Sequence, residues 1–354
     1  CSCKLNPRKR FVLQSHPLTF RTTFCISIGL MSFSPNPQYT FRSVPHTLLW
    51  IYPLLCLFSS CRQQTKEDTL SILFTGDVLL DRGMRPWIER EGVKGLFQGV
   101  SEAFQKADAV VINLECPLTE RHTPVSKKFV FRGDPPWAKA LRQAGITHAA
   151  LANNHTIDHG RDGLADTYHA LRDADIVPLG YGRTVEEQTT PVTIRKGKLE
   201  VALFNTIPLP IENWPRAEGK PDICRASVKR LAAAIRKYKA SHPSARIVAV
   251  LHWGTEFQPI PDMQQRYDAH LLVQAGADAI IGHHPHVVQP LEYIDSRPVF
   301  YSLGNFVFDQ SHPDCRKASM ALLCFKASEV QARAIPVEIR QCRPQISRKQ
   351  HENR

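Results

Sequence analysis

The sequence lacks the features that define several common protein classes. Its 10 cysteines include no C-x-x-C pair, which excludes a zinc ribbon, and no internal repeat stands out. It also has no apolar run of the roughly twenty residues that a membrane-spanning helix needs. With 354 residues, 43% hydrophobic and 22% charged, the chain has the composition of a globular protein of one large or two modest domains.

Acidic residues are absent from the first 62 positions, which carry seven basic ones. Residues 340–354 carry five basic residues against the single acid Glu352. The formal net charge of +12 therefore lies almost entirely in these two flanks, and the middle of the chain is nearly neutral. Because the folded body has no basic excess of its own, we expect no nucleic-acid partner.

An apolar stretch near the N-terminus predicts an export signal. Residues 47–58 are almost wholly apolar, too few to span a bilayer, and follow a polar segment that starts at Met31. Ser59 and Ser60 then precede Cys61, a pattern that resembles a bacterial lipoprotein signal in which Cys61 is lipidated. A plain secretory signal or an uncleaved anchor is the alternative, and all three place the remaining chain outside the cytoplasm.

These features predict the domain organisation. We expect a leader over residues 1–61, with residues 31–61 as the signal and residues 1–30 as an upstream extension. A tether over 62–69, a folded domain over 70–340 and a basic tail over 341–354 follow. Five cysteines fall in the body, an odd number that does not support a disulfide framework.

Apolar β-rich segments alternate with helix-like ones, which predicts an α/β domain. Strands are expected at 70–75, 109–113, 148–152, 201–204, 247–251 and 279–282, and helices at 135–144, 163–174, 227–239 and 263–275. Residues 290–303 read as a hairpin, and the alternation over 320–339 predicts closing strands.

Five of the predicted strands run directly into polar clusters. Ligands of α/β sheets bind outside the carboxyl ends of the strands, so these clusters should converge on one site. Alone, each residue would more often be an ordinary rim or turn residue. On an extended chain, His284 and His286 would point the same way. The set as a whole suits a divalent Zn, Mn or Fe ion: Asp77, Glu115, Asn154, His155, His252, His284 and His286, with Asp81, Asn113, Asp158 and His283 beside them.

Six ordered motifs carry a family resemblance: TGDVLL, NLECPLT, NNHTIDHG, LHWGTEF, GHHPHVVQPLE and SLGNFVFDQ. Over residues 70–310 the chain resembles the capsule-synthesis protein CapA family, the poly-γ-glutamate branch of the calcineurin-like metallophosphoesterase superfamily. The resemblance implies a four-layer α/β/β/α sandwich with one or two divalent metal ions at the strand ends. It implies that His155 handles the leaving or attacking oxygen, and that the metal ligands are Asp77, Glu115, Asn154, His252, His284 and His286.

Two departures from the superfamily pattern stand out. Leu79 occupies the position where the first motif usually has a histidine, so one metal loses a ligand. Glu115, in Asn-Leu-Glu, stands where a bridging aspartate is usual. Both changes agree with the CapA branch, and they count against two-metal occupancy and ordinary phosphoesterase activity.

Several neighbouring residues have two interpretations. Asp158 either orients His155 or caps a turn, and the two roles are compatible. Asn305, Trp253 and His283 are candidate substrate contacts. Three basic residues either attract an anionic polymer or, as the more common case, form solvated surface: Lys127, Lys128 and Arg132.

The sequence thus predicts an exported, membrane-anchored lipoprotein of capsule or poly-γ-glutamate synthesis. Its metal-dependent, hydrolase-like site would act on an anionic polymer such as poly-γ-glutamate, or on a γ-glutamyl amide. One alternative is a non-catalytic, polymer-binding accessory that assists the subunits of a membrane synthase. The other is a general metallophosphoesterase, for which the superfamily is the only support.

Overall fold

The computed structural model describes residues 68–347. The predicted leader with Cys61, the tether up to residue 67 and the tail beyond residue 347 lie outside the described residues.

The strands are β1 (Leu70–Val78), β2 (Ala109–Leu114), β3 (His148–Ala150), β4 (Val177–Leu179), β5 (Tyr181–Gly182), β6 (Val192–Lys196), β7 (Leu199–Thr206), β8 (Asp222–Ile223), β9 (Arg246–His252), β10 (Ala279–His283), β11 (Leu291–Ile294), β12 (Arg297–Phe300), β13 (Asn305–Val307), β14 (Lys317–Phe325), β15 (Val330–Arg340) and β16 (Arg343–Ile346). The α-helices are α1 (Arg85–Gly95), α2 (Ser101–Lys106), α3 (Trp137–Gln143), α4 (Gly160–Asp173), α5 (Val185–Thr189), α6 (Val228–Ser241) and α7 (Met263–Ala275).

The first sheet has the strand order β16-β15-β14-β1-β2-β3-β4. Its strands β1 to β4 are parallel, whereas β14, β15 and β16 are antiparallel to their neighbours. The short β13 replaces β14 as the neighbour of β1 at the carboxyl end of β1, where it pairs in parallel. This exchange brings the segment around residue 305 to the same edge as Asp77.

The second sheet has the order β11-β12-β10-β9-β7-β6. Strands β7, β9, β10 and β12 run parallel, and the antiparallel β6 and β11 lie at its two edges. The tight turn between β11 and β12 consists of Asp295 and Ser296, both with positive φ, as a type I′ turn requires. The predicted hairpin is therefore confirmed.

Apolar side chains hold four layers together. Ile72, Phe74 and Val250 belong to the cluster between the two sheets. The outer face of the first sheet packs against α1, α2 and α3, and that of the second packs against α6 and α7. Burial on both faces explains why β1 is almost continuously apolar up to the site. The predicted α/β/β/α sandwich is the observed fold.

The element predictions succeeded where apolar patterning was long and failed where it was short. All six predicted strands and all four predicted helices are present, with ends shifted by a few residues. The structure adds β16, which pairs with β15 in a stretch expected to be basic tail. It also adds α1, which a positive φ at Gly92 divides into two short parts, too short for a clear helical period. Among the described residues, no helix is long and apolar enough to cross a membrane.

Candidate functional site

The carboxyl ends of the parallel strands bring the polar clusters together, as the sequence predicts. Asp77 lies near the end of β1, Glu115 directly follows β2, and Asn154 lies in the loop after β3. From the second sheet, His252 ends β9 and the loop after β10 carries His284 and His286. The site therefore lies at one edge of the sandwich and is shared by both sheets.

A buried pair of carboxylates forms the centre of the site. Asp77 and Glu115 are both fully buried. The side chain of Asn113 donates a hydrogen bond to Asp77 Oδ1 at 2.8 Å. Asp77 Oδ2 and both carboxylate oxygens of Glu115 have no hydrogen-bond partner. Burying carboxylate oxygens without a hydrogen-bond donor costs free energy, and a bound cation would offset that cost.

His286 lies against both carboxylates. Its Nδ1 is 3.2 Å from Asp77 Oδ2 and its Nε2 is 3.8 Å from Glu115 Oε1. One ligand atom from each of these three side chains lies within 4.8 Å of the other two, close enough for all three to hold one metal ion. Two carboxylates and an imidazole are ligands that suit Zn, Mn or Fe.

The pKa values of Asp77, Glu115 and His286 show that positive charge stabilises this cluster. Burial and the charge of Asp77 raise the pKa of Glu115 well above its ordinary value. Burial alone would lower the pKa of His286, but Glu115 and Asp77 outweigh burial and raise it to about 9. Burial likewise opposes ionisation of Asp77, yet His286 brings the pKa of Asp77 below its usual range. Protons therefore supply the charge that a bound cation would supply instead.

His252 and Asn154 point at each other beside the carboxylates. His252 Nε2 lies 2.9 Å from Asn154 Oδ1 and 3.9 Å from Glu115 Oε1. Burial, followed by the neighbouring histidines, lowers the pKa of His252 well below its ordinary value. A neutral imidazole is the form that binds metal, so His252 and Asn154 extend the donor set.

The loop that carries His284 and His286 is not an extended chain. His284 has φ +99° and His286 has φ +59°, so the prediction of an extended segment there is wrong. The two rings nevertheless lie 6.1 Å apart. Buried His284 Nδ1 has no hydrogen-bond partner, and burial lowers the pKa of His284 to about 4. Non-glycine residues in left-handed conformations are strained, and such strain is typical of functional sites.

His155 is held in place by a buried ion pair. Its Nδ1 lies 2.8 Å from Asp158 Oδ2, and Lys127 Nζ donates to Asp158 Oδ1 at 2.6 Å. The amide of Phe131 also donates to Asp158, and the Phe131 ring stacks on His155 with centroids 4.1 Å apart. Asp158 thus orients His155 and leaves Nε2 as the ring nitrogen free to exchange a proton.

Lys127 corrects a prediction made from the sequence. Its side chain is only 6% exposed, so it is not solvated surface. Besides Asp158, Lys127 Nζ donates to the carbonyl oxygen of Asn154 at 2.6 Å. Its neighbour Lys128 is exposed, as expected. The sequence contains no signal that separates the two lysines, because only the folded loop decides which one faces the site.

The structure explains the conformation of the SLGNF motif, residues 302–306. A Cβ at Gly76 would lie 2.0 Å from the carbonyl oxygen of Gly304, so only glycine permits this approach of β1 and the chain before β13. Asn305 Oδ1 then lies 2.9 Å from His286 Nδ1, and Asn305 Nδ2 donates to Gln310. Asn305, a candidate substrate contact, therefore orients the ring of His286.

The other two candidate substrate contacts are engaged inside the protein. Trp253 is 2% exposed, and its Nε1 donates to the carbonyl oxygen of Tyr301 at 2.9 Å. His283 is equally buried, and its Nε2 donates to the carbonyl oxygen of Thr75 at 2.9 Å. The bond from His283 ties β10 of one sheet to β1 of the other, directly beneath the site.

Leu79 occupies the hydrophobic core. It is fully buried in the cluster beneath α1, with Leu80 and Met84, and its amide donates to the carbonyl oxygen of Val307 at 2.8 Å. The position that lacks a histidine is thus filled by an apolar side chain packed on the outer face of the first sheet. The described residues contain one group of three ligands for a metal ion, Asp77, Glu115 and His286.

Fold and site together define an α/β/β/α sandwich protein with a buried carboxylate–histidine cluster at its strand ends. Residues 71–310 match the family described as bacterial capsule synthesis protein PGA_cap, and the chain belongs to this family. The resemblance to CapA proteins inferred from the six motifs is therefore confirmed.

Two curated relatives have similar sequences. The capsule biosynthesis protein CapA of Bacillus anthracis is 31% identical over 308 residues, which cover 83% of this chain and 74% of that protein. The PGA biosynthesis protein CapA of Bacillus subtilis (strain 168) is 29% identical over 284 residues, covering 78% of this chain and 74% of that protein. Among solved structures, the NAD nucleotidase NadN of Haemophilus influenzae aligns with 77% of this chain and 50% of that chain, at 12% identity and a TM-score of 0.44.

Proposed function

We propose that this chain is an envelope protein of poly-γ-glutamate or capsule synthesis. In this proposal, its site uses a divalent cation to break an amide bond of an anionic polymer or a γ-glutamyl amide. The released acyl group passes to water in hydrolysis or to an acceptor amine in transfer. Family membership and the names of the two CapA relatives support the capsule role. The chemistry of the strand-end cluster supports the metal-dependent step.

The unpaired carboxylate oxygens of the site are the main support for a metal-dependent reaction. The buried carboxylates of Asp77 and Glu115 present three oxygens without a hydrogen-bond donor next to His286. We propose that these residues hold an Mn, Zn or Fe ion together with Asn154, His252 and His284. When bound, such an ion lowers the pKa of water and polarises the oxygen under attack.

The chain itself supplies proton handling and orientation. The hydrogen bond to Asp158 fixes the ring of His155, so that Nε2 is placed to take a proton from the attacking nucleophile and then give it to the leaving group. Burial lowers the pKa of His155, and Lys127 adds to this effect whereas Asp158 opposes it. The hydrogen bond to Asn305 holds the His286 ring beside the two carboxylates.

Turnover by the purified full-length protein tests this proposal. With Mn²⁺ or Zn²⁺ present, we expect new amine ends to be released from poly-γ-glutamate or from γ-glutamyl peptides. His155→Ala should abolish this release without loss of bound metal, and His270→Ala, an exposed position on α7, should leave it unchanged. Absence of any turnover by the wild-type protein would contradict a catalytic role.

A non-catalytic accessory role is the second candidate, and Leu79 favours it. Because an apolar core side chain replaces a histidine of the superfamily pattern, the site is less complete than that of a two-metal hydrolase. In this case the protein holds a growing polymer for the subunits of a membrane synthase. Polymer binding that persists unchanged in His155→Ala, together with no turnover, would support this role over the first.

A further inference from the structure

Arg82 has an unusual backbone conformation close to the site. It follows Asp81 at the start of a 3₁₀ turn, Arg82–Met84, and has φ +52°. A non-glycine residue is rarely found in this left-handed region, and it persists there only when the surrounding structure compensates for the strain. The guanidinium group of Arg82 contacts two aromatic rings and Asp309.

The guanidinium lies against two aromatic rings that cover the site histidines. Its central carbon is 4.7 Å from the centre of the Phe131 ring and 5.7 Å from that of Phe308. Phe131 stacks on His155 at 4.1 Å, and Phe308 lies 4.9 Å from His286. Arg82 therefore lies one aromatic layer outside both histidines, at the rim of the site.

The side chain of Arg82 is accessible and pairs with a single carboxylate. Its side chain is 33% exposed, whereas that of Lys127 is 6% exposed and already paired. Arg85 donates to Asp81, and Arg132 donates to the carbonyl oxygen of Thr119. Arg85 is 30% exposed but pairs with two carboxylates, Asp81 and Asp134. Arg82 pairs with one and is therefore better placed to meet a ligand.

Asp309 is the acidic partner of Arg82. Its Oδ1 accepts from the guanidinium, while its Oδ2 accepts from the amide of Gly83 at 3.0 Å. Both side chains are partly exposed, so solvent screens the ion pair and lowers the cost of exchanging Asp309 for another carboxylate. An incoming carboxylate can therefore take the place of Asp309 on a planar, two-pronged donor.

We propose that Arg82 is a substrate-binding residue that recognises a carboxylate of the polymer. This inference rests on the proposed function, since it concerns the same site. The aromatic layer between Arg82 and the histidines places the recognised carboxylate on a repeat unit next to the one that reacts. Asp309 acts as the competing internal carboxylate when no polymer is bound.

Binding of fluorescently labelled poly-γ-glutamate to the full-length protein, followed by anisotropy, tests this proposal. Arg82→Gln should weaken binding about tenfold, the effect of losing one charge-assisted hydrogen bond. Asp309→Asn should strengthen binding, by about threefold, because it removes the competitor and leaves the guanidinium in place. A purely structural role of the pair would make both substitutions weaken binding, and that result would overturn the proposal.

Two controls separate this effect from general charge. Arg236→Gln removes the same charge from an exposed position on α6 and should leave affinity within twofold of the wild type. Polymer with amidated carboxylates should bind the wild type and Arg82→Gln equally. If wild-type protein binds and turns over the polymer while Arg82→Gln binds it equally well, the inference fails and the proposed function stands. If wild-type protein neither binds nor turns over the polymer, both fail.

Discussion

Lys127 Nζ and Asp158 Oδ1 lie 2.6 Å apart, and both side chains are almost completely buried. The other oxygen of Asp158 contacts His155, so the ion pair also orients the ring that we assign to proton transfer. A buried carboxylate that loses its cation retains the full cost of desolvation. The relationship between these two residues therefore determines both local stability and the geometry of the site.

Lys127→Met should destabilise the protein by about 3 kcal/mol, because it leaves Asp158 buried without its cation. Lys128→Met, the matched change at the exposed neighbour, should alter stability by less than about 0.5 kcal/mol. Urea unfolding monitored by circular dichroism measures both changes. The double variant Lys127→Met/Asp158→Asn should cost less than the sum of the two single changes, and additive losses would show that the pair is not coupled.

Glu115→Gln should remove metal binding without destabilising the metal-free protein. The substitution keeps the shape of the side chain but replaces a carboxyl group whose oxygens have no hydrogen-bond donor in the site. Elemental analysis should find about one ion per wild-type chain, as expected for one set of protein ligands. Metal at a hundred times its Kd should stabilise the wild type by about 2.7 kcal/mol and the variant not at all.

Glu292→Gln is the matched control, because Glu292 pairs with Arg266 at the surface. It should retain the metal content and the metal-induced stabilisation of the wild type. Equal metal content in Glu115→Gln and the wild type would contradict the assignment of this cluster as the metal site.

His148 should make stability depend on pH. It is buried at the start of β3, and burial lowers its pKa to about 4 from an ordinary value of 6.5. Between these two values the unfolded chain binds a proton that the folded protein does not. This stabilising contribution is therefore complete above pH 6.5 and is lost as the pH falls towards 4, by up to roughly 3 kcal/mol.

Unfolding experiments at several pH values between 4 and 7 check this expectation. His148→Gln should flatten the dependence relative to the wild type, whereas His270→Gln, at an exposed position, should leave it unchanged. A wild-type stability that rises towards pH 4 would have the wrong sign for a buried neutral histidine.

Cys61 is predicted to carry the lipid anchor. Expressed with its leader in a bacterial host, the protein should incorporate labelled fatty acid and partition into the detergent phase. Several acyl chains hold a domain firmly, at about 0.8 kcal/mol per buried methylene. Cys61→Ser should lose the label. Labelling that persists in this variant, or a wild-type protein that is fully soluble in the periplasmic fraction, would contradict the prediction.

The sequence by itself determined the α/β class and the edge at which the site lies, whereas the sandwich followed from the family resemblance. Short apolar segments such as those of β1 and β9, alternating with helix-like segments, are typical of buried parallel strands. A polar residue at the end of such a strand must lie at the edge of the sheet. Asp77, Glu115 and His252 were therefore predictable from local pattern alone. The order of the six motifs supplied the family.

Only the tertiary structure decided which nearby residues complete the site. Lys127 and Lys128 are equivalent in the sequence, yet the loop buries one beside Asp158 and exposes the other. His284 and His286 converge through left-handed backbone that an extended-chain argument does not describe. Arg82 and Asp309 meet across 227 positions of the chain. Such contacts depend on the packing of distant segments against each other, a property that no local period or spacing encodes.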